Sequence, residues 1–96
     1  MTSFSFEWDE KKNRKNRRKH GIAFELAQRA FLDPNRITAK DTDHSTPSEI
    51  RYYCFGKVDR DIITVRFTFR NGKIRIFGAG YWRKGKMAYE EKNKIH

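Results

Sequence analysis

The stretch that decides the fold is residues 62–80, IITVRFTFRNGKIRIFGAG. Asn71 and Gly72 predict a two-residue type I′ turn, because both central positions of such a turn need φ > 0, which these two residues tolerate. The turn joins two antiparallel strands and fixes their register, which pairs Arg70 with Lys73, Phe69 with Ile74, Thr68 with Arg75, Phe67 with Ile76, and Arg66 with Phe77. The sequence therefore predicts a β-hairpin of defined register.

The two faces of this hairpin differ in chemistry. The apolar face, predicted to be core, carries Ile63, Val65, Phe67, Phe69, Ile74 and Ile76. The other face carries Arg66, Thr68, Arg70, Lys73, Arg75 and Phe77. Like charges opposite one another destabilise a sheet by about 0.2 to 1 kcal/mol per pair, so Arg70 beside Lys73 needs a nearby anion. Two interpretations stay open: a solvated face that protects the sheet from aggregation, or a phosphate-binding face where Phe77 stacks on a base.

Further strands are predicted on the N-terminal side of the hairpin. Residues 51–58 are aromatic and β-branched, and they join the hairpin through the polar residues 59–61. Residues 36–41 alternate weakly as another strand, whereas residues 42–49, rich in Ser, Thr and Asp, are predicted to be an exposed loop. Residues 4–8 alternate apolar and polar side chains as a short edge strand. The prediction is an antiparallel sheet of about four strands.

Helices are predicted before and after the sheet. Residues 11–20, KKNRKNRRKH, follow Asp9 as an N-cap and end at Gly21. This first helix is nearly devoid of apolar residues, so its packing face must combine Asn13 and Asn16 with the aliphatic stems of Lys12, Arg17 and Lys19. A second helix is expected at residues 24–31, where apolar residues recur at helical spacing. The last is expected at residues 83–94, with Met87 and Tyr89 as its apolar contacts.

Length and composition indicate one α+β domain over residues 1–96, with two N-terminal helices, the sheet and a C-terminal helix. Ninety-six residues leave no room for a second core. The formal net charge of +10 makes nucleic acid the leading candidate partner, with acidic protein or an anionic membrane surface as alternatives. No stretch approaches the roughly 18 apolar residues of a membrane span, and no apolar signal core follows Met1, so we expect a cytoplasmic protein.

Several kinds of chemistry lack support in the sequence. Cys54 lies in an apolar run, which favours a buried, inert thiol over a nucleophile. The histidines have no partner at metal-ligand spacing, and no dinucleotide, P-loop, hydrolase-elbow or zinc-protease motif occurs. We therefore expect no metal and no cofactor.

Three stretches together resemble a known family. They are Phe6-Glu7-Trp8-Asp9 followed by Lys12, Asn16, Lys19-His20-Gly21 and Phe24; then Phe67-Thr68; and then Ile74-Arg75-Ile76 through Tyr89-Glu90. In these stretches the chain is similar to the BrnT toxins of type II toxin-antitoxin systems. The resemblance implies a fold like that of the RelE-type ribonuclease toxins and RNA cleavage that blocks translation. It also implies a cognate antitoxin with a ribbon-helix-helix DNA-binding domain, so that DNA is contacted only through the complex, which represses its own operon.

The chain departs from this family at one position. Many relatives carry Ser-Ala-Arg after the last strand, whereas this chain has Gly78-Ala79-Gly80, with Gly80 in place of the arginine. Arg83 or Lys84 is the candidate to supply that charge from a shifted position.

Metal-free RNA cleavage uses the 2′-hydroxyl as nucleophile, so the protein must orient the phosphate, stabilise its added charge and move two protons. We expect Arg66, Arg70 and Arg75 to bind the phosphate, because their forked guanidinium groups share one face. For proton transfer we expect His20, the one histidine near an ordered element, although a helix-end cap is its alternative role. Predicted RNA-binding residues are Lys12, Lys19, Lys73, Phe77, Arg83 and Lys84. The alternative function is a non-catalytic basic module that binds RNA, DNA or the antitoxin.

Overall fold

A computed structural model of the chain describes residues 4–94, so residues 1–3 and 95–96 of the predicted domain lie outside the described residues. The described elements are β1 (Phe6–Glu7), α1 (Glu10–His20), α2 (Phe24–Ala27), a 3-10 segment (Gln28–Leu32), β2 (Ile37–Thr46), β3 (Glu49–Val58), β4 (Asp61–Arg70), β5 (Lys73–Gly80) and α3 (Arg83–Asn93). The predicted α+β class is confirmed. In this part of the chain, no helix is both long enough and apolar enough to cross a membrane.

The five strands form one mixed sheet in the order β1-β5-β4-β3-β2. Strands β2 to β5 pair antiparallel, whereas β1 pairs parallel to β5, with Phe6 opposite Ile74 and Glu7 opposite Arg75. The predicted antiparallel sheet of about four strands is therefore wrong in strand number and in the direction of β1. No turn links β1 to β5, so tertiary packing rather than local sequence sets its direction.

The central hairpin forms as predicted near its turn. Asn71 and Gly72 have φ angles of 52° and 76°, as a type I′ turn requires. Four predicted pairs, from Arg70 with Lys73 to Phe67 with Ile76, are confirmed. The pairing of Arg66 with Phe77 is wrong, because a register shift places Arg66 opposite Gly78. Phe77 is the extra residue of this β-bulge, which hairpin alternation alone does not reveal.

The hydrophobic core lies between one face of the sheet and the segment from α1 to the 3-10 turns. Of the predicted core residues, Ile63, Val65, Phe67, Ile74 and Ile76 are buried there. Phe69 is 61% exposed, so its assignment to the core is wrong; it lies next to the turn and contacts Tyr52 and Phe67 edge-on. Cys54 is buried as predicted, and burial raises the pKa of its thiol to about 12.

Helix α1 docks on the sheet through hydrogen bonds, because it has almost no apolar residues. Asp9 caps it by accepting hydrogen bonds from the backbone N–H groups of Lys11 and Lys12. The buried Asn16 amide donates to the carbonyls of Ile22 and Ala79, and its oxygen accepts from the Ala79 N–H. The buried Asn13 oxygen likewise accepts from the Phe24 N–H. The predicted role of the two asparagines in packing is thus confirmed, whereas Lys12, Arg17 and Lys19 are exposed.

Three other local predictions are corrected. The prediction of two N-terminal helices is wrong in detail, because the second is one α-helical turn, Phe24–Ala27, that continues as the 3-10 segment. The predicted loop at residues 42–49 is largely strand, since β2 extends to Thr46 and turns back at residues 47–48. In α3, Tyr89 is buried and donates a hydrogen bond to Asp33 at 2.6 Å, but Met87 is 58% exposed and is no core contact.

Candidate functional site

The second face of the sheet is only partly covered. Helix α3 lies over one end of it, and beside the helix is an open cleft of about 620 Å³. We call this cavity the cleft; its lining residues are His44, Tyr53, Phe55, Thr64, Arg66, Trp82, Arg83, Lys84 and Gly85. Strands β2, β3 and β4 and the start of α3 thus contribute to one surface.

A glycine allows α3 to approach the sheet this closely. A Cβ atom at the buried Gly85 would collide with the Thr64 Oγ1 and lie 2.9 Å from the Phe55 ring. The same approach leaves the Thr64 Oγ1 buried without a hydrogen-bond partner within residues 4–94. As a result, Arg83 and Lys84, both exposed in the first turn of α3, lie at the cleft rather than away from it.

Arg66 is the arginine of β4 that lines the cleft. Its Nε is buried and has no hydrogen-bond partner in the described part of the chain, where no carboxylate forms an ion pair with it either. Its guanidinium carbon lies 5.4 Å from the centroid of the Phe77 ring, and that of Arg51 lies 4.4 Å from the same centroid. The aromatic ring of the bulge residue therefore supports two cationic side chains at once.

At the other end of this face, hereafter the paired end, the arginines are bound to carboxylates. Glu49 accepts hydrogen bonds from Arg51 at 2.9 Å and from Arg70 at 3.1 Å, and these two contacts lower its pKa. Arg75 donates to Glu7 at 2.6 Å, across the parallel pairing of β1 with β5. The anion that Arg70 needs beside Lys73 is therefore a carboxylate of the chain itself. Of the three predicted phosphate-binding arginines, only Arg66 lines the cleft.

One residue of the cleft, His44, forms a histidine–carboxylate pair with the buried Asp41, which the sequence analysis missed. The His44 Nδ1 lies 2.9 Å from the Asp41 Oδ2, and Asp41 is only 4% exposed. Burial acts to raise the Asp41 pKa, but hydrogen bonds from His44 and then Tyr53 outweigh it, and the net shift is downward. The spacing of Asp41 and His44, three residues apart, was visible in the sequence, but the loop assignment gave no reason to bring their side chains together.

Tyr53 completes the wall between this pair and Arg66, since it lies opposite Arg66 in the β3–β4 ladder. Burial, followed by the charge of Asp41, raises the pKa of its phenol, while the charge of Arg66 acts in the opposite direction. The phenol is therefore protonated at neutral pH and available as a hydrogen-bond donor.

The other predicted site residues are distributed over several surfaces. His20 packs its ring against Trp82 at 5.4 Å between centroids and is not among the residues that line the cleft. Lys12 and Lys19 are exposed on α1, which packs on the opposite, core face of the sheet. Lys73 is exposed beside the hairpin turn. The structure thus brings together Arg66, Phe77, Arg83 and Lys84 but not the basic helix.

A second cavity adjoins the cleft. It measures about 600 Å³, shares Trp82 and Arg83 with the cleft, and is otherwise lined by Lys57, Arg60, Asp61, Ile62, Tyr81, Lys86, Tyr89 and Glu90. Four basic side chains and the exposed Tyr81 and Trp82 give this cavity a cationic and partly aromatic surface. Within residues 4–94, no group of three or more His, Cys, Asp or Glu side chains is placed to hold a metal ion.

A family model described as the ribonuclease toxin BrnT of type II toxin-antitoxin systems matches residues 8–85. The chain belongs to this family. The resemblance noted in the sequence is thereby confirmed, and membership makes the chain a ribonuclease toxin of a type II toxin-antitoxin system, which implies an antitoxin as its partner. A comparison with curated proteins finds none that matches the chain.

At Gly80, where the resemblance predicts an arginine, the structure shows close packing against Trp82. Gly80 is buried, and a Cβ atom there would lie 2.7 Å from two carbons of the Trp82 ring. An arginine at this position would displace Trp82, which lines both cavities. Gly80 and Trp82 therefore form one packing unit in this BrnT chain, and Arg83 and Lys84 provide cationic groups directly after it.

Proposed function

We propose that this protein is a metal-independent endoribonuclease that cleaves RNA in the cleft and thereby inhibits translation. The observation that supports this most strongly is Arg66, which lines the cleft and whose buried Nε has no hydrogen-bond partner among the described residues. A buried unpaired donor costs about 1 to 3 kcal/mol, and a phosphate oxygen would satisfy it. Arg83 and Lys84 add positive charge at the same cavity.

The side chains of the cleft match the needs of phosphodiester cleavage by the 2′-hydroxyl. Arg66 forms bidentate hydrogen bonds to the phosphate and stabilises the charge that develops on it in the transition state. The Phe77 ring supports the Arg66 guanidinium, and Trp82 offers a face on which a base stacks. Arg70, Arg75, Lys73, Lys12 and Lys19 provide longer-range attraction for the RNA backbone, as expected for a chain with a net charge of +10.

We propose that the antitoxin has an acidic segment and a ribbon-helix-helix domain. The toxin–antitoxin complex then contacts DNA only through that domain. An acidic segment complements the same basic face that attracts RNA, so neutralisation follows from direct cover of the cleft. The charge of the described surface supports this, since Arg66, Arg83 and Lys84 have no carboxylate in ion-pair contact among residues 4–94.

The test is cleavage of a defined RNA by the purified protein in EDTA, with the products analysed for 2′,3′-cyclic phosphate ends. Arg66→Lys keeps the charge but loses the forked geometry, so we expect the rate to fall by about 100-fold or more. Arg75→Lys is the matched control, because its ion pair with Glu7 keeps it out of the reaction; we expect a change of less than about threefold.

Tight, salt-sensitive RNA binding without cleavage would reject this proposal in favour of a non-catalytic basic module. Equal losses in Arg66→Lys and Arg75→Lys would place the reaction elsewhere on the basic face. Cleavage that disappears in EDTA and returns with a divalent metal would reject metal independence.

A further inference from the structure

We infer that His44 is the general base of this cleft and that Asp41 is the positioning residue that orients it. The inference rests on the proposed ribonuclease function and adds the group that accepts the proton of the 2′-hydroxyl. It is carried by the placement of His44 and Arg66 on the lining of one cavity, with the buried Asp41 in hydrogen-bond contact with His44.

An irregular segment of β2 creates this arrangement. Asp41 pairs with Arg51 and Thr46 pairs with Glu49, so β2 advances five residues while β3 advances two. The additional residues of β2 arch away from the ladder, and the Ser45 hydroxyl holds the arch by donating to the Asp41 carbonyl at 2.6 Å and accepting from the Arg51 N–H at 2.8 Å. The His44 backbone N–H also donates to the Asp41 carboxylate, at 3.3 Å. Backbone and side chain of His44 are therefore fixed on the same carboxylate.

The hydrogen bond to Asp41 decides which ring nitrogen can accept a proton. An ionised carboxylate only accepts hydrogen bonds, so the His44 Nδ1 must carry the hydrogen that is shared with Asp41. In the neutral ring, Nε2 then has a free lone pair. Among the described residues Nε2 has no hydrogen-bond partner, and the His44 side chain is 53% exposed. A nitrogen base is thus directed away from Asp41 and remains accessible to a ligand in the cleft.

The charges around His44 come from four elements. Asp41 and Asp43 lie on β2, and the protonated Tyr53 lies on β3. Arg66 faces the cleft from β4, and Arg83 and Lys84 face it from α3. The one buried carboxylate stabilises the imidazolium that forms during the reaction, while the three cationic groups favour the anionic phosphate.

The reaction that these groups support is balanced as follows. The His44 Nε2 takes the proton from the 2′-hydroxyl, and the 2′-oxygen forms a bond to phosphorus. The bond from phosphorus to the 5′-oxygen breaks, and that oxygen takes up a proton from water in the open cleft. The products are a 2′,3′-cyclic phosphate and a 5′-hydroxyl, and the imidazolium of His44 returns its proton to solvent.

The experiment compares the two described histidines in the RNA cleavage assay. For His44→Ala we expect the rate to fall by about 100-fold or more, since general base catalysis contributes roughly 10² to 10⁴. Added imidazole should restore part of this activity, because it can occupy the space of the missing ring. His20→Ala should lose far less, because the His20 ring packs on Trp82 outside the cleft.

A second comparison tests whether Asp41 acts by orienting His44 or only through its negative charge. The variant is Asp41→Asn, and Asp43→Asn is its matched control. We expect Asp41→Asn to lower the rate at least about tenfold, as removal of such supporting groups commonly does, and the exposed Asp43 to matter little. The rate of the parent protein should fall in acid, because a protonated imidazole cannot accept a proton. This acid limb should be missing from the residual activity of His44→Ala.

Four results would overturn the inference. They are full activity of His44→Ala, an unchanged acid limb in that variant, no rescue by imidazole, or loss of activity in His20→Ala with retention in His44→Ala. A thermal melt of each variant excludes unfolding as the cause of a loss. The proposed function fails separately: if the parent does not cleave RNA, or if Arg66→Lys is fully active, the cleft is not the site and the role of His44 is rejected with it.

Discussion

The two ends of the basic face contain the same residue type in opposite situations. At the paired end, Arg51, Arg70 and Arg75 donate to Glu49 or Glu7 over 2.6 to 3.1 Å. In the cleft, Arg66 has a buried Nε without a partner among the described residues. All four arginines lie on one face of the sheet, so composition and register cannot distinguish them.

This difference teaches that a cluster of positive charge is not by itself a binding site. A guanidinium already paired with a carboxylate must lose that partner before it binds phosphate, and the exchange has little net benefit. An arginine held by an aromatic ring and left with a free donor binds phosphate without such an exchange. At the paired end the arginines contact carboxylates of the sheet itself, and we propose the cleft as the end that binds the ligand.

The largest effect outside the reacting groups is expected at Gly85, on which the geometry of the cleft depends. Gly85→Ala should lower the free energy of unfolding by about 2 kcal/mol, because the added Cβ collides with Thr64 and crowds Phe55. In an exposed helix the same change would instead stabilise by about 1 kcal/mol. Denaturant unfolding of the variant and of the parent measures this difference in the free energy of unfolding.

The matched variant is Thr64→Ala combined with Gly85→Ala, which removes the unpaired Oγ1 that the new Cβ meets. We expect it to recover part of the lost stability and part of the RNA cleavage. If Gly85→Ala alone is as stable as the parent, α3 does not depend on this close approach.

The next largest effect is expected on how stability depends on pH, through Asp41 beside the cleft and Glu49 at the paired end. The pKa of Asp41 is below its ordinary value of 3.8 in the folded chain, so the ionised carboxylate stabilises the fold above about that pH, and this stabilisation is lost as the pH falls through the depressed value. Asp41→Asn should cost about 1 kcal/mol at neutral pH and should flatten the loss of stability in acid.

Glu49→Gln is the comparison for Asp41→Asn. Its pKa is also lowered, but its side chain is 29% exposed against 4% for Asp41, so solvent screens its ion pairs more strongly. Thermal melts from pH 2 to 7 measure both variants. A larger acid effect for Glu49→Gln would reverse our ranking of the two ends.

Glu49→Gln should also strengthen RNA binding, because it releases Arg51 and Arg70 together. We expect the affinity at low salt to rise severalfold and the slope of log K against log salt to steepen by about one to two. The control is Glu91→Gln, which changes the net charge by the same unit on the exposed side of α3. If the two variants gain affinity equally, net charge rather than ion pairing governs binding.

The smallest effect is expected at Phe77, the residue that connects the two ends through Arg51 and Arg66. Phe77→Leu keeps an apolar side chain but removes the ring face, which should weaken RNA binding about two- to fivefold, from roughly 0.5 to 1 kcal/mol of cation-π energy. Phe69→Leu removes an exposed aromatic ring from the opposite face and should leave binding unchanged. An equal loss of RNA affinity in the two variants would mean that Phe77 does not act through its contacts with Arg51 and Arg66.

Much of the fold was predictable where short-range rules decide it. Asn71-Gly72 specifies its own turn, and the turn determines four residue pairs and the burial of Phe67 and Ile76. Asp9 and Gly21 likewise limit α1 through local backbone geometry. The predicted pairing register is wrong from Phe77 onward, because a β-bulge shifts the register there and the turn does not determine where a bulge occurs.

The candidate site was less predictable, because its partners are distant in sequence. Glu7 lies 68 residues before the Arg75 that it binds, and Glu49 lies 21 residues before Arg70. Asp41 and His44 are close in sequence, yet the irregular pairing of β2 is what brings their side chains together and places His44 at the cleft with Arg66. The periodicity of the sequence does not predict such side-chain contacts.

The sequence by itself determined the α+β class, the central hairpin, the basic character of the chain and the membership in the BrnT ribonuclease toxins that the family model confirms. Turn chemistry, alternation and composition are local properties, which a linear pattern contains in full. Only the tertiary structure decided which arginine remains available and which histidine faces it. Ion pairing and burial depend on distances in space, and those distances are set when β1, α3 and the arch of β2 pack against the sheet.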